Sequence, residues 1–439
     1  MCKVKESIIV TIRFFLCWFC CLSTIWLSAA EIAPQRDKID DVLYGRVKEA
    51  RVSWWGFDTE DSTKILQAAL DSRVPKLIVD AMLTPWITEQ LYVHDDQEIV
   101  FEKGSVLQAK RGCFHGTNDS LVNILSRKNV TLSGEGAVIC MWIEDYRSEG
   151  YKKGEWRHGV NIISSENVTV SGLTIMDTGG DAIYIGDEDN HHPCKNIHIT
   201  GVTCDNNHRQ GISVISVEGL LVEKCVFKNT RGTAPAAGID FEPNIATESL
   251  VDCVVRDCVS ENNAGCGYLF YLTELDQSSK PISIRIENCI SLNEKQYAVS
   301  LTTGNGKEKS VRGIIEFIDC RFENSRDHGL YLISNAREGG GELRFKNLHL
   351  KECGTADRTF PIEIASRGED ELPIGNIFFD NVTITDSKDR PFLNFKDYSV
   401  FDQDREGITG TVTLIRDGKT TQFTIDLPWI KENFPKRWP

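Results

Sequence analysis

The sequence predicts an all-β chain, a single-stranded, right-handed parallel β-helix with an N-terminal helical cap and a C-terminal β-hairpin cap. Three observations carry this expectation. A six-residue phrase recurs as Asn129-Val-Thr-Leu-Ser-Gly134, Asn167-Val-Thr-Val-Ser-Gly172 and Asn196-Ile-His-Ile-Thr-Gly201. A second short apolar segment follows each phrase, and its anchors Ile183, Ile212, Ile239, Tyr268 and Ala298 are spaced 29, 27, 29 and 30 residues apart. Both segments alternate apolar and polar positions, as half-buried strands require, and few helical patterns separate them. A coil of two or three short strands cannot bury its own apolar face, whereas a stack of coils buries a continuous column.

The elements follow in chain order. Lys3, Lys5 and Arg13 precede an apolar run from Phe14 to Trp26, with Ser28, Ala29 and Ala30 behind it. That order is the basic, apolar, small-residue pattern of a secretory signal over residues 1–30. It predicts export to the periplasm, the cell surface or the medium, with no membrane contact after cleavage. Residues 31–75 are expected to form a capping segment, with Asp61–Ser72 as its short amphipathic helix. Residues 76–400 are the repeat body. In residues 401–439, Thr411–Ile425 is expected to turn at Asp417-Gly418 as a hairpin and close the last coil.

The cysteines fit a stack. Fifteen are present, four of them in the signal segment, so eleven remain, an odd number that argues against full pairing. Cys225, Cys258, Cys289 and Cys320 recur at intervals of 33, 31 and 31 residues and read as a column of small, buried, unpaired thiols. The formal net charge of -15 becomes -17 once residues 1–30 are removed, which disfavours nucleic acid as a partner. A monomer is expected.

The segment Trp55-Gly-Phe-Asp-Thr-Glu-Asp-Ser-Thr-Lys-Ile-Leu-Gln-Ala-Ala-Leu70, with the Asn-Val-Thr-Val-Ser-Gly coils, resembles the pectin lyase-like superfamily over roughly residues 52–400. The resemblance implies the fold and leaves the reaction open. That superfamily holds polygalacturonases and other glycosidases, lyases, epimerases, esterases and phage tailspikes. The Asn-Thr-Asp, Asp-Asp and Gly-His-Gly set of polygalacturonases is not intact here. Its nearest echo is Thr178-Gly-Gly-Asp181, followed by His208-Arg-Gln-Gly211.

Alternation places candidate chemistry on one face. With Ile239 and Phe241 inward, Asp240 and Glu242 face outward. The column through Asp240 holds Asn161, Tyr184, Ser213 and Leu269, and the column beside it holds His158, Asp181 and Gln210. Coils after about residue 297 read as blander. Asp181, Asp240, Glu242 and His158 are the expected catalytic groups. Residues two apart on a strand are about 6.5–7 Å apart at the backbone, so Asp240 and Glu242 suit the two-carboxyl chemistry of glycoside hydrolysis, with a lean to inversion. Calcium binding, or a structural tie to loop backbone, is the alternative for this pair; no organic cofactor is expected. The irregular segment Met141–Gly154, ended by Glu155-Trp-Arg-His158, reads as an insertion between two coils. Trp142, Tyr146 and Trp156 are expected to stack on sugar rings. Glu155, Arg157, Asn161, Tyr184, His208, Arg209 and Gln210 are expected to contact substrate, the arginines by forked hydrogen bonds to an acid group. Asp187–His192 reads as a solvated acidic turn, with a metal site as the lesser reading. The Asn-x-Thr sequences at Asn129, Asn167 and Asn381 read as turn asparagines rather than glycosylation acceptors.

The reading is an exported carbohydrate-active enzyme, a glycoside hydrolase acting on a polysaccharide or oligosaccharide. The alternatives are a lyase acting on a uronate-containing glycan, with Arg157 or Arg209 neutralising the carboxylate and His158 as base, and a non-catalytic glycan-binding surface protein.

Overall fold

The protein is described by a computed structural model covering residues 31–188, 192–304, 310–366, 374–397 and 405–434. The signal segment lies outside the described residues. Among them, no helix is long and apolar enough to cross a membrane.

The chain winds as a parallel solenoid of about eleven turns. Eleven parallel strands, from Leu91–Tyr92 to Leu393–Asp397, stack as one continuous sheet. The recurring phrases form a second ladder, in which Glu166–Ser171 pairs with Lys128–Ser133 below and Cys194–Thr200 above. Three-residue strands such as Thr174–Met176 and Thr203–Asp205 form a third. Each coil therefore carries three strands. The phrase begins with asparagine because the chain turns there through the left-handed region, at φ 56° for Asn129 and Asn167 and 53° for Asn196. The same side chains form a ladder, with Asn167 Nδ2 donating to Asn129 Oδ1 at 3.0 Å and Asn196 Nδ2 to Asn167 Oδ1 at 3.1 Å.

The first four strand anchors share one register, with Ile183 opposite Ile212, Ile212 opposite Ile239 and Ile239 opposite Tyr268. The fifth expectation is corrected by one residue, because Tyr268 pairs with Val299 rather than Ala298. The cause lies in the slot before the strand. Gly238 and Gly267 occupy it in earlier coils, where an added Cβ would meet a carbonyl of the next coil at 2.7 and 2.8 Å. Ala298 fills that slot in the next coil, so an apolar residue there does not mark the strand's first inward position.

Inside the stack, aromatic rings continue from coil to coil. Phe241 stacks on Phe270 with centroids 5.0 Å apart, and Phe345 lies between Phe317 and Phe379 at 5.3 and 5.5 Å. The column of Cys225, Cys258, Cys289 and Cys320 holds, with all four thiols buried and free, and Leu348 takes its place in the next coil. Each Sγ lies near the carbonyl two residues back, as Cys258 does to Arg256 at 3.1 Å.

One interior carboxyl is exceptional. Glu294 is 1 % exposed and accepts hydrogen bonds from Ser260 Oγ at 2.7 Å and from the Asn263 backbone N–H at 2.8 Å. Burial outweighs these bonds and raises its pKa to about 8. The folded chain thus holds a proton that the unfolded chain releases near pH 4.5, and stability falls as pH rises between those values. Glu294→Gln is expected to melt higher than the native chain at pH 8.5 and with no advantage at pH 4.5. Thermal melts at the two pH values check this, and a pH-independent difference would contradict it.

Both ends are covered. Residues Thr63–Asp71 form the expected helix, and Leu66 and Leu70 close over Leu77, Ile99 and Leu107 of the first coils. A second helix, Arg36–Leu43, precedes it and was not legible in the pattern. At the other end, Ile408–Arg416 adds in parallel to Ile377–Thr385, and Lys419–Ile425 folds back antiparallel through Asp417 and Gly418, both at positive φ. A short helix, Leu427–Asn433, follows; Asp426 caps it by accepting the Trp429 N–H at 2.8 Å.

Candidate functional site

Strand register builds the site from five successive coils. Asn161 lies beside Tyr184, Tyr184 beside Ser213, Ser213 beside Asp240, and Asp240 beside Leu269. The column expected to pass through Asp240 is therefore the one observed. Its outward direction does not make it accessible, since Asp240, Asp181 and Gln210 are all 0 % exposed.

Arg209 is the hub. Its Nη2 pairs with Glu242 Oε2, its Nε lies 3.4 Å from Glu155 Oε2, and its Nη1 lies 3.6 Å from Asp181 Oδ2. Burial opposes its charge, but Asp181, Glu242, Asp240 and Glu155 more than offset this, so the guanidinium stays charged. Gln210 fixes the floor. It donates Nε2 to Asp240 Oδ2 at 2.9 Å and accepts the Ala237 backbone N–H at 2.6 Å.

Burial, then the charge of Glu242, holds the Asp240 carboxyl well above the usual carboxylate range. Asp240 and Glu242 thus form a carboxyl dyad in which burial favours the proton on Asp240. Asp181, pushed up to about 7 by burial, is the other titrating carboxyl. His158 is pushed down to about 3 by burial and by Arg209. Its Nδ1 accepts the Asp181 backbone N–H at 3.1 Å, as a neutral ring does, so the 3.3 Å approach to Asp181 Oδ2 is not an ion pair. The ring stacks on Tyr184 with centroids 4.7 Å apart.

Several other expected contacts go elsewhere. Arg157 is 0 % exposed, and its Nε and Nη2 donate to the carbonyls of Phe114 and Lys152 at 2.8 and 2.9 Å. It ties the insertion down beneath Tyr146 and Tyr151 and is not a free substrate cation. Tyr146 is buried there and offers no platform. Trp142 donates its indole N–H to Ala109 at 2.6 Å and carries Arg111 on its ring, so it packs on the coil below. His208 accepts from Arg147 Nε at 3.1 Å and meets Thr233 Oγ1 at 3.0 Å, a clip between two loops. The turn Asp187–His192 falls partly outside the described residues. Among the described residues, no group of three or more His, Cys, Asp or Glu side chains has a metal-site arrangement. Trp156, 43 % exposed, remains at the rim beside Glu155.

Two features were missed. Tyr271 is 41 % exposed and stands one coil beyond Glu242, as the pairing of Phe241 with Phe270 requires. Carrying the alternation two residues past Leu269 would have found it. The later coils are also not bland. Glu363 accepts from Asn394 Nδ2 at 2.9 Å and lies 3.3 Å from His328 Nε2, beside the paired rings of Tyr297 and Tyr331. This cluster went unseen because His328 enters from the neighbouring column.

A family model described as right handed beta helix region matches residues 153–338. An exopolygalacturonase from Thermotoga maritima is 15% identical and has a TM-score of 0.54, with 89% of this chain and 98% of that chain covered. The chain has the right-handed parallel β-helix fold. The A-module of a mannuronan C-5 epimerase from Azotobacter vinelandii has a TM-score of 0.57 at 11% identity, covering 84% of this β-helix and 94% of that chain. The surface adhesin PfbA of Streptococcus pneumoniae has a TM-score of 0.55 at 10% identity, covering 86% and 95%. A hydrolase, an epimerase and an adhesin thus share one fold. A prophage-derived uncharacterized protein, YorA of Bacillus subtilis, is 25% identical over 187 residues, which are 38% of this β-helix and 32% of that protein. The match thus spans about a third of that curated relative's length.

Proposed function

We propose that this β-helix is an exported carbohydrate-active enzyme and that its reaction is glycoside hydrolysis. The observation that carries the reading is the carboxyl dyad of Asp240 and Glu242, held by Gln210 and Arg209. A carboxyl that holds its proton above the usual carboxylate range is what a leaving glycosidic oxygen needs. Glu242 is the partly exposed member, so the dyad delivers its proton there. Glu155, the other partly exposed carboxylate on Arg209, takes the proton of the attacking water. The leaving sugar gains a hydrogen, the anomeric carbon gains the hydroxyl, and the exposed Trp156 at the rim and Tyr271 beside Glu242 offer sugar-stacking surfaces. The hydrolase among the proteins of like fold agrees with this assignment without deciding it.

The lyase alternative loses its groups. Arg157 is given to carbonyls, Arg209 to carboxylates, and His158 is buried and neutral. A non-catalytic glycan-binding protein is the second reading, favoured by the complete burial of Asp181 and Asp240. Incubation of the protein with neutral, uronic and sulfated polysaccharides, followed by reducing-end assay and at 235 nm, separates the three. New reducing ends without ultraviolet absorbance are expected. Absorbance at 235 nm would establish elimination instead, and retention of a glycan with neither signal would establish binding alone.

A further inference from the structure

The chain carries a second inference, resting on the reading that a sugar sits against Glu242. We infer that the sugar seated on Glu242 is uncharged and that this subsite rejects uronic acids. The argument is an account of cations. The outward row through Asp240 runs Asn123, Asn161, Tyr184, Ser213, Asp240, Leu269, Ser300, Tyr331, Glu363, Asn394. It contains no cation. The row through Glu242 continues through Tyr271, Thr302, Ile333 and Ala365, and its first cation is Lys396, which lies 3.8 Å from Glu363.

The arginine that does border the subsite is turned onto the chain's own carboxylates, and its unbonded Nε is buried beside Glu155. Arg209 faces Glu242, Glu155 and Asp181, and its Nη1 also lies 3.4 Å from Ser213 Oγ. A uronate carboxylate placed there would meet two partly exposed carboxylates, and the one unbonded guanidinium edge, Nε, is buried out of its reach. Recognition of a carboxylate ordinarily uses such an edge for paired hydrogen bonds. Setting like charges together also acts as discrimination against the wrong ligand. A hydroxyl or hydroxymethyl group meets no such conflict, because Glu242 and Glu155 accept hydrogen bonds from it.

The test uses polymers that share a backbone and differ in charge: polygalacturonate against fully methyl-esterified pectin, alginate against its propylene glycol ester, and carboxymethyl cellulose against hydroxyethyl cellulose. Affinity electrophoresis of the full protein is run with each pair at low and high salt. In every pair that is retained, the uncharged member is expected to bind at least about tenfold more tightly at low salt, the gap narrowing as salt rises. Glu155→Gln, which removes one of those two carboxylates, is expected to narrow the gap by several-fold. Glu316→Gln, which removes an equal charge from the second ladder, is expected to leave it unchanged. Tighter binding of an acidic member, equal effects of the two variants, or retention of neither member in any pair would overturn the inference. Binding of uncharged members without product would sink the hydrolase reading and leave this one standing. Hydrolysis of an acidic member would do the reverse.

Discussion

Glu242→Gln is expected to lower kcat about a thousandfold while leaving KM within a few-fold and the melting temperature nearly unchanged. The amide keeps the shape of the side chain and a hydrogen-bonding oxygen for Arg209, but it does not transfer the proton of Asp240. Asp240→Asn should lose as much for the complementary reason, since the amide keeps the bond to Gln210 in geometry and supplies no acid. The double variant should be no worse than either single one, because the two act as a unit. The native rate is expected to fall as pH rises through the loss of the Asp240 proton, which burial and the charge of Glu242 place above the usual carboxylate range. A reducing-end assay from pH 4 to pH 10 on the polymer that responds reads all of this. If Glu242→Gln keeps a third of the native rate, the dyad is not the acid.

Arg209→Met is expected to cost about 3–5 kcal/mol of stability at pH 8, the range for removing one partner from buried charges. Methionine keeps most of the buried volume, so the loss comes from charge. The buried Asp181 and Asp240 and the partly exposed Glu155 and Glu242 would then lose the cation that faces them all. The sign with pH follows from the raised carboxyls. Asp181 titrates at about 7 and Asp240 above its usual range, so both hold protons in the folded chain at pH 5 that the unfolded chain has largely lost. Stability contributed by Arg209 is therefore small near pH 5 and grows toward pH 8. Urea unfolding of native and variant chains at both values should show the difference opening with pH. An equal loss at pH 5 and pH 8 would assign the effect to packing rather than charge.

Most of the repeat was legible because parallel stacking repeats the same residue type at the same place. Period-two alternation was enough to put Tyr184, Ser213 and Asp240 in one column. It erred at Ala298, where an apolar residue occupies the slot that glycine holds in earlier coils. What alternation does not carry is cover. Facing away from the helix axis is a property of the strand, whereas exposure depends on neighbouring coils and loops, and Asp240 and Asp181 are sealed. The fate of Arg157 was also illegible, because its partner carbonyl on Phe114 lies 43 residues earlier. Contacts at that remove follow from how the insertion lies on the coil, and nothing in the local pattern of Glu155-Trp-Arg-His158 fixes it. The ladder asparagines, by contrast, sit in the motif itself and were read correctly as turn residues.

The anchoring of Arg157 has a consequence for how substrate is met. Its buried guanidinium bonds to Phe114 on the preceding coil and to Lys152 within the insertion that ends in Glu155 and Trp156. The rim carrying those two residues is thus ordered before any ligand arrives. Association then need not freeze a loop, and the conformational entropy a mobile rim would surrender on binding has already been surrendered in folding. Such a surface favours ligands whose shape matches it as it stands and gives little ground to those that do not.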